Sequence, residues 1–462
     1  MSYSLTPIRV KLIPKTWTNK DTWQIQMSNK LLTHLQLNKN RKLNIKIGQK
    51  TITSEIQIAE IAINEIHLPD HMIKALLLPI QCYTFQAIVF SKSHTLKLGP
   101  VIGLLTDFKT NQMVEPYFRT IHLFCEELHR GICEHGGFFY VFSFDQFSDS
   151  GYYLEDGKWV PANLPMPDVI YNRIHSRKLE NSTLYKVFRQ KLDEHMIPFF
   201  NDRFLSKWEA HEKVKIESQL YSYIPETKIC SKELFYDFAQ KYETIFLKPI
   251  HGSQGRNIIK VKEEGHQHYT LQTSLPALTN HLTEKYSLDE IYQQIKPLLH
   301  HQIYIIQQGI TFIKHQSRTM DFRVLCHKDQ NNQWIVTSTV ARIAAEKEFV
   351  SNLAKGGTIT RPLNALRTCM SDKQSIEVLA LIKELALETA EVISRHSEGI
   401  TGELGIDIGV DQEGKPWLIE VNSKPSKNFE DGLGKIRPSA KAIIQFCSKL
   451  AHDSALEKEE LN

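Results

Sequence analysis

The sequence predicts a multidomain chain of mixed α/β and α+β class. Three observations predict it. At 462 residues the chain is too long for one ordinary core, and length alone gives about three domains. Short β-like runs crowd the stretch up to residue 98. From residue 99 onward apolar strand patterns alternate with helical ones, the rhythm of sheets layered with helices.

Taken in order, residues 1–98 contain "IRVKLI", "WQIQM", "LNIKIG" and "YTFQAIVF" and few positions suited to chemistry. They read as a β-rich N-terminal domain for structure or docking. "GPVIGLLTD" opens a second domain, 99–199, with an apolar strand, a helical pattern over 117–134, the buried strand "FFYVFSF", and "DVIYNRI" running through Arg173. A third domain, 200–446, carries the motifs, and 447–462 reads as a charged, fraying tail. No internal repeat is evident. In the helical pattern His122, Cys125, His129 and Cys133 share a face. A single straight helix cannot surround a tetrahedral ion, so a packed face is the reading, with zinc as the lesser alternative.

Composition narrows the class of function. A hydrophobic content of 41% and a charged content of 23% are those of a soluble globular protein. The net charge of +4 is small for this length, and no basic run is interleaved with aromatics, so no nucleic-acid partner is expected. The N-terminus lacks a signal-peptide apolar core and no stretch reaches transmembrane length, so no membrane role is expected. Seven scattered cysteines, an odd number, suit reduced cytosolic thiols.

The most informative stretch is "ELGIDIGVDQEGKPWLIEVNSKP", 403–425. Its period-2 alternation predicts two strands joined by a turn at "DQEG". A turn pairing Asp411 with Gly414 sets Asp407 opposite Leu418 and Gly405 opposite Glu420. Asp407, Glu420 and Asn422 then share one face, which Gly405 and Gly409 keep low. A hard divalent cation would relieve two neighbouring carboxylates, and Mg²⁺ is held by one or two carboxylates plus substrate phosphates. The alternative is a plain solvent-exposed polar face.

Other motifs precede it. "IFLKPIHGSQGRNIIKV", 245–261, places strands on both sides of a glycine-rich turn, with Lys248 at the end of the first. It lacks the G-K-[ST] of a Walker loop, and an ordinary glycine hairpin is its alternative. "QIYIIQQGI" (302–310), "RTMDFRVLCHKD" (318–329) and "STVARIAAEKEFVSNLAKGGTITRP" (338–362) follow.

These pieces, in this order over roughly residues 100–445, resemble the ATP-grasp superfamily. The resemblance implies a Rossmann-like pre-ATP-grasp domain at 99–199 and an ATP-grasp domain at 200–446. It implies that Lys207 and Lys248 bind nucleotide, that Gly252, Ser253, Gln254 and Gly255 belong to a loop closing over the phosphates, and that Gln307, Gln308 and Ile310 form the hinge whose backbone reads adenine. Many relatives carry Glu where Gln308 stands, which leaves the ribose contact open. Arg323, Arg342 and "SNLAKGG" are similar to their counterparts in glutathione synthetase and the ribosomal-protein glutamate ligase. There the arginines handle phosphate and the tetrahedral intermediate. Asp407, Glu420 and Asn422 would hold two Mg²⁺ ions on ATP. Arg173, Asn352, Gly356 and Gly357 are the substrate-side candidates, a structural ion pair being the alternative for Arg173.

"LGPVIGLLTD", "PDVIYNRI", "IPET" and "LKPIHGSQGRNI" are similar, more particularly, to the YheC/YheD group of spore coat-associated ATP-grasp proteins. That resemblance implies an ADP-forming carboxylate–amine ligase in the mother-cell cytoplasm of a spore-forming bacterium, associated with the spore coat. Its partners would be a carboxylate substrate and an amine acceptor, a peptide or coat protein among the choices. Two alternatives are a coat scaffold that binds ATP without turnover and a kinase on the same fold.

Overall fold

The computed structural model describes residues 7–461 except 18–22, 109–114, 148–149, 253–255, 266, 274–284, 347–355 and 428–434. The N-terminal unit comprises β1 (Ile8–Lys15), β2 (Gln24–Met27), α1 (Asn29–His34), β3 (Leu43–Ile47), β4 (Lys50–Ile58), β5 (Glu65–Pro69), α2 (Asp70–Ala75), β6 (Tyr83–Phe90) and β7 (Thr95–Gly99). Its strands close into a barrel in the order β1-β5-β2-β4-β3-β7-β6. Alternating residues such as Val10, Leu12, Ile45 and Ile47 are buried inside, and closure removes the sheet edges.

This barrel corrects the expectation of no internal repeat. Strand and short helix occur twice at an offset of 41 (Leu31 to Met72), each time followed by a hairpin. Leu31, Leu32, Leu35 and Leu37 are buried, as are Met72, Ile73, Leu76 and Leu78. Gln36 and Leu77 take φ of +53° and +59°, each ending its helix in the left-handed region. Leu35 N donates to Leu31 O at 2.9 Å and Leu76 N to Met72 O at 3.1 Å. The halves keep the pattern of burial while exchanging one apolar residue for another, and so the repeat is faint as letters.

The second unit comprises β8 (Val101–Leu105), α3 (His122–His135), β9 (Phe138–Phe142), β10 (Gly151–Glu155), β11 (Lys158–Ala162), β12 (Val169–Asn172), α4 (Arg177–Glu180), α5 (Thr183–Glu194) and β13 (Phe199–Phe200). Its sheet runs β11-β10-β9-β8-β12-β13, with β9, β8, β12 and β13 parallel. One face packs with α5 into the same hydrophobic core as the barrel. The other packs against α3 and the last helix. Cys125 is fully buried there, and no group of three or more metal-type side chains occurs among the described residues.

A third sheet, β14-β18-β15-β16-β17, is built from α6 (Lys207–Lys215), β14 (Thr227–Ile229), α7 (Lys232–Lys241), β15 (Thr244–Pro249), β16 (Ile259–Glu263), β17 (Tyr269–Thr273), α8 (Leu288–His301) and β18 (Tyr304–Gln308), where α6 precedes the strands. Helices α7 and α8 supply Phe235, Phe238, Ile291 and Ile295 to its core. The fourth sheet follows with β19 (Lys314–His315), β20 (Arg318–Lys328), β21 (Trp334–Ile343), β22 (Thr358–Thr360), α9 (Pro362–Arg367), α10 (Asp372–Arg395), β23 (Glu403–Val410), β24 (Pro416–Asn422) and α11 (Pro438–Leu461). Its core joins Ile382, Leu385 and Ala386 of α10 to Phe322, Ile406 and Ile408.

The charged tail expected at 447–462 is corrected as well. Helix α11 runs straight through that boundary. Cys447, Ala451, Ala455 and Lys458 are buried along it. Small residues at helical spacing let it lie close on its neighbours, and Glu457 and Glu460 are exposed.

Candidate functional site

The hairpin β23–β24 sets the site. Its register differs from the expected one: Asp407 opposes Glu420, Gly405 opposes Asn422, and Ile408 opposes Leu418, which leaves Ile419 as an extra residue. Such a bulge lets consecutive residues reach the same side. Leu418 and Val421 are buried, while Ile419, Glu420 and Asn422 line a cavity with Asp407. A Cβ on Gly409 would come within 2.4 Å of Phe312, so the glycine admits that ring to the strand.

The cavity holds about 440 Å³ between the third and fourth sheets, and among its walls are Lys248, Gln307, Gln308, Ile310, Arg323 and Arg342. The walls also carry the apolar side chains of Phe246, Ile258, Phe312, Met320 and Ile419, with Lys248 Nζ 5.6 Å from the centre of the Phe246 ring. There β18 runs out at a tight turn: Gly309 N donates to Thr244 O at 2.8 Å, and a Cβ at Gly309 would meet that oxygen at 2.6 Å. Gln308 Oε1 accepts from Glu226 N at 3.3 Å. Glu243 also lines the cavity.

The charged walls form a lattice of pairs. Arg323 binds Asp407 through Nε and, at 2.8 Å, through Nη2. Arg342 makes two bonds to Asp321, at 2.7 and 2.6 Å, and its Nη2 lies 3.0 Å from Asp407 Oδ2. Burial opposes ionisation of Asp407, yet the two guanidiniums hold its carboxyl below the usual carboxylate range. Lys207 Nζ donates to Glu420 Oε1 at 2.8 Å and to Gly252 O at 2.6 Å. Lys248 Nζ donates to Gln307 Oε1 at 2.6 Å. Burial pushes Lys248 down to about 8, with Lys207 adding to the shift and Glu420 and Asp407 opposing it.

The carboxylates of Asp407 and Glu420 and the Asn422 amide, all lining the cleft, form a hard oxygen set that fits Mg²⁺. Two arginines and a lysine now engage those carboxylates, so a bound cation would take over their role.

The remaining candidates lie elsewhere. Arg173 is buried away from the cavity: Nη1 lies 3.2 Å from Glu403 Oε2 and Nη2 donates to Pro425 O at 2.9 Å. Glu403 is fully buried and also meets Tyr171, His327 and Lys427. The substrate reading for Arg173 therefore gives way to the structural ion pair, because burial against a carboxylate leaves it no route to a ligand. Gly356 and Gly357 precede β22, which pairs with β21 beside Arg342, but they do not line the cavity. Ser253, Gln254, Gly255 and Asn352 lie outside the described residues. Sequence reasoning missed Phe246, Met320, Ile419 and the role of Asp321; only the strand alternation at 318–329 pointed to the last.

Comparison with known proteins places this geometry. The YheC/D-like ATP-grasp family matches residues 196–450. The chain is 28% identical over 419 residues to the endospore coat-associated protein YheD of Bacillus subtilis (strain 168), covering 87% of this chain and 88% of the relative. With YheC of the same organism, also described as endospore coat-associated, it shares 24% identity over 301 residues, covering 64% and 80%. Among solved structures, the D-alanine–D-alanine ligase of Coxiella burnetii has a TM-score of 0.46 at 10% identity, covering 78% of this chain and 98% of that one, a likeness too distant to assign anything. No helix among the described residues is long and apolar enough to cross a membrane. The family match spans more than half of the chain and contains every residue of the charged cleft, and the chain belongs to the YheC/D-like ATP-grasp family.

Proposed function

We propose that this chain is an ADP-forming carboxylate–amine ligase acting on a peptide or protein acceptor in a spore-forming cell, in the mother-cell cytoplasm and at the spore coat. One observation carries the reading: a single cavity brings apolar side chains suited to a base, Phe246, Ile258, Phe312, Met320 and Ile419, together with Lys248, Arg323, Arg342, Asp407, Glu420 and Asn422. The relatives' description as coat-associated supports the location.

In this mechanism a substrate carboxylate oxygen attacks the γ-phosphorus of ATP. The bond to the β–γ bridging oxygen breaks, and ADP leaves. The amine nitrogen then attacks the acyl carbon, the C–O bond to phosphate breaks, and phosphate leaves as the amine gives up a proton. Phosphoryl transfer of this kind needs positioning and charge neutralisation rather than a protein nucleophile. Lys207 and Lys248 bind the polyphosphate. Arg323 and Arg342 meet the negative charge that grows on the transferring group and on the tetrahedral oxyanion. Asp407, Glu420 and Asn422 would hold Mg²⁺, which neutralises and orients the phosphates. The ion pairs among these groups hold their side chains in place.

The test is ADP and phosphate release with Mg·ATP, candidate carboxylates and amines. A ligase releases both. A kinase leaves phosphate on its product, and a coat scaffold binds nucleotide without release, so either outcome rejects the ligase.

A further inference from the structure

The second sheet has the layout at which open α/β sheets take ligands. The strand that follows β8, β9, lies on one side of it and β12 on the other, the strand order at which open sheets take ligands at the carboxyl ends of their parallel strands. Thr106 and Asp107 stand just beyond β8, and His175 and Arg177 just beyond β12. The two ends are tied together. Asp107 Oδ1 lies 3.3 Å from His175 Nδ1, Asp107 Oδ2 lies 3.1 Å from Arg119 Nη2, and Thr106 Oγ1 donates to Arg173 O at 3.0 Å.

Charge around Phe204 does not balance. Arg177 lies 5.0 Å from the centre of that ring and Lys424 4.5 Å from it. Lys424 is paired with Glu180 and neighbouring Lys207 with Glu420. Arg177 forms no ion pair among the described residues. Its Nη2 donates to Leu205 O at 3.4 Å, and its Nη1 lies 3.1 Å from His251 Nδ1. Burial, then Arg177 and Lys207, lower the His251 pKa, so the ring is a neutral acceptor and not a counter-charge.

A guanidinium carries five donors and stays cationic. This one is half-buried, spread over a phenyl ring, and has donors to spare. Through His251 it adjoins Gly252, whose carbonyl Lys207 holds, so it stands beside the phosphate end of the cleft. It is absent from the walls of the nucleotide cavity and belongs to the second unit. Planar bidentate recognition of a carboxylate is what such a group does best.

We propose that Arg177 receives the reacting carboxylate of a substrate that enters at the carboxyl ends of β8 and β12, with Asp107 and His175 forming the polar wall beside it. This rests on the ligase reading above. It moves the carboxylate contact from the buried Arg173 to the next arginine along the chain.

The test uses the full chain with Mg·ATP, hydroxylamine as the amine, and a panel of carboxylates: acetate, succinate, glutarate, the protein amino acids and their dipeptides. Hydroxamate formation gives KM for each carboxylate. Titration calorimetry with a non-hydrolysable ATP analogue gives nucleotide affinity. Saturation-transfer NMR on the chain holding that analogue reads carboxylate binding without turnover.

Arg177→Ala should raise carboxylate KM roughly ten- to hundredfold and abolish the NMR contact, with nucleotide Kd kept within about twofold. Arg177→Lys should recover only part of the loss. Unchanged carboxylate KM overturns the proposal, as does a loss confined to nucleotide affinity or the absence of any carboxylate binding to the wild type. Each of those results leaves nucleotide binding measurable. Failure of the wild type to bind the ATP analogue at all would instead reject the ligase reading beneath.

Discussion

Replacing Asp407 with Asn should cost the fold far more than replacing Glu420 with Gln, although both residues face the same cleft. Asp407 and Arg323 are 7% and 8% exposed, and the carboxylate also meets Arg342 at 3.0 Å. Breaking a buried ion pair from one side costs about 3–5 kcal/mol because the other charge stays behind. Arg342 keeps its two bonds to Asp321, which places Asp407→Asn at the low end, about 3 kcal/mol. For a unit of this size each kcal/mol moves the melt by about 2–4 °C, so the drop is about 6–12 °C. Glu420 is 27% exposed and has one lysine partner. An amide oxygen can still accept from that lysine, so Glu420→Gln should cost about 1 kcal/mol or less. Thermal melts followed by circular dichroism in EDTA, without nucleotide, isolate the protein's own contribution. Equal drops for the two variants, or an Asp407→Asn melt within about 2 °C of the parent, would refute the idea that this aspartate anchors the guanidinium lattice.

Lys248→Ala should mainly weaken binding of a non-hydrolysable ATP analogue, whereas Arg342→Ala should mainly lower kcat, because in the proposed ligase lysine meets ground-state phosphate and arginine meets charge that grows later. Equal losses of nucleotide affinity would contradict this division. Lys248 titrates near 8 in the free protein against 10.5 for an ordinary lysine, so it loses its charge as pH rises through 8. A polyphosphate restores that charge, and nucleotide affinity should therefore fall by up to about tenfold per pH unit above 8, with proton uptake visible by calorimetry in buffers of different ionisation enthalpy; Lys248→Met should flatten the slope. In the same window the unfolded chain holds the extra proton, so this position favours folding more as pH rises. Asn422→Ala should leave the melt close to the parent while lowering Mg²⁺-dependent ADP formation by one to two orders of magnitude, and normal turnover would remove it from the site. Deleting residues 1–99 should give aggregated protein, because the barrel and the second sheet share one core and a buried Lys97–Asp168 pair at 2.8 Å. A monomeric, cooperatively melting product would show that the two units are independent.

Much of the cleft was legible because its chemistry is written locally. Strand alternation alone put Asp407, Glu420 and Asn422 on one face, and the structure gathers them with Lys248, Arg323 and Arg342. What escaped was set by non-local or subtle features. The bulge at Ile419 depends on how two strands pair, and nothing in "PWLIEVN" announces an extra residue. Arg173 and Arg177 look alike on the page, since only Glu403, some 230 residues away, decides which of them is spent. The barrel's duplication survives as burial and backbone conformation instead of as shared letters. The charged tail misled because its lysines and glutamates outnumber the small buried residues that seat it.

Helix α11 has a further consequence, for the order in which the molecule can be made. It supplies Ala440, Ile443, Ile444, Phe446 and Cys447 to a core that it shares with residues from Ile102 to Phe200, synthesised hundreds of residues earlier. On the ribosome the outer side of α3 must therefore wait, apolar and uncovered, until some 300 further residues have emerged (about 303, from His135 to Pro438). The early strands can pair, but their sheet stays half-dressed through most of translation, open to chaperones or to a neighbouring nascent chain. Any ribosome that stalls before α11 releases a product whose defect lies far upstream of the missing residues.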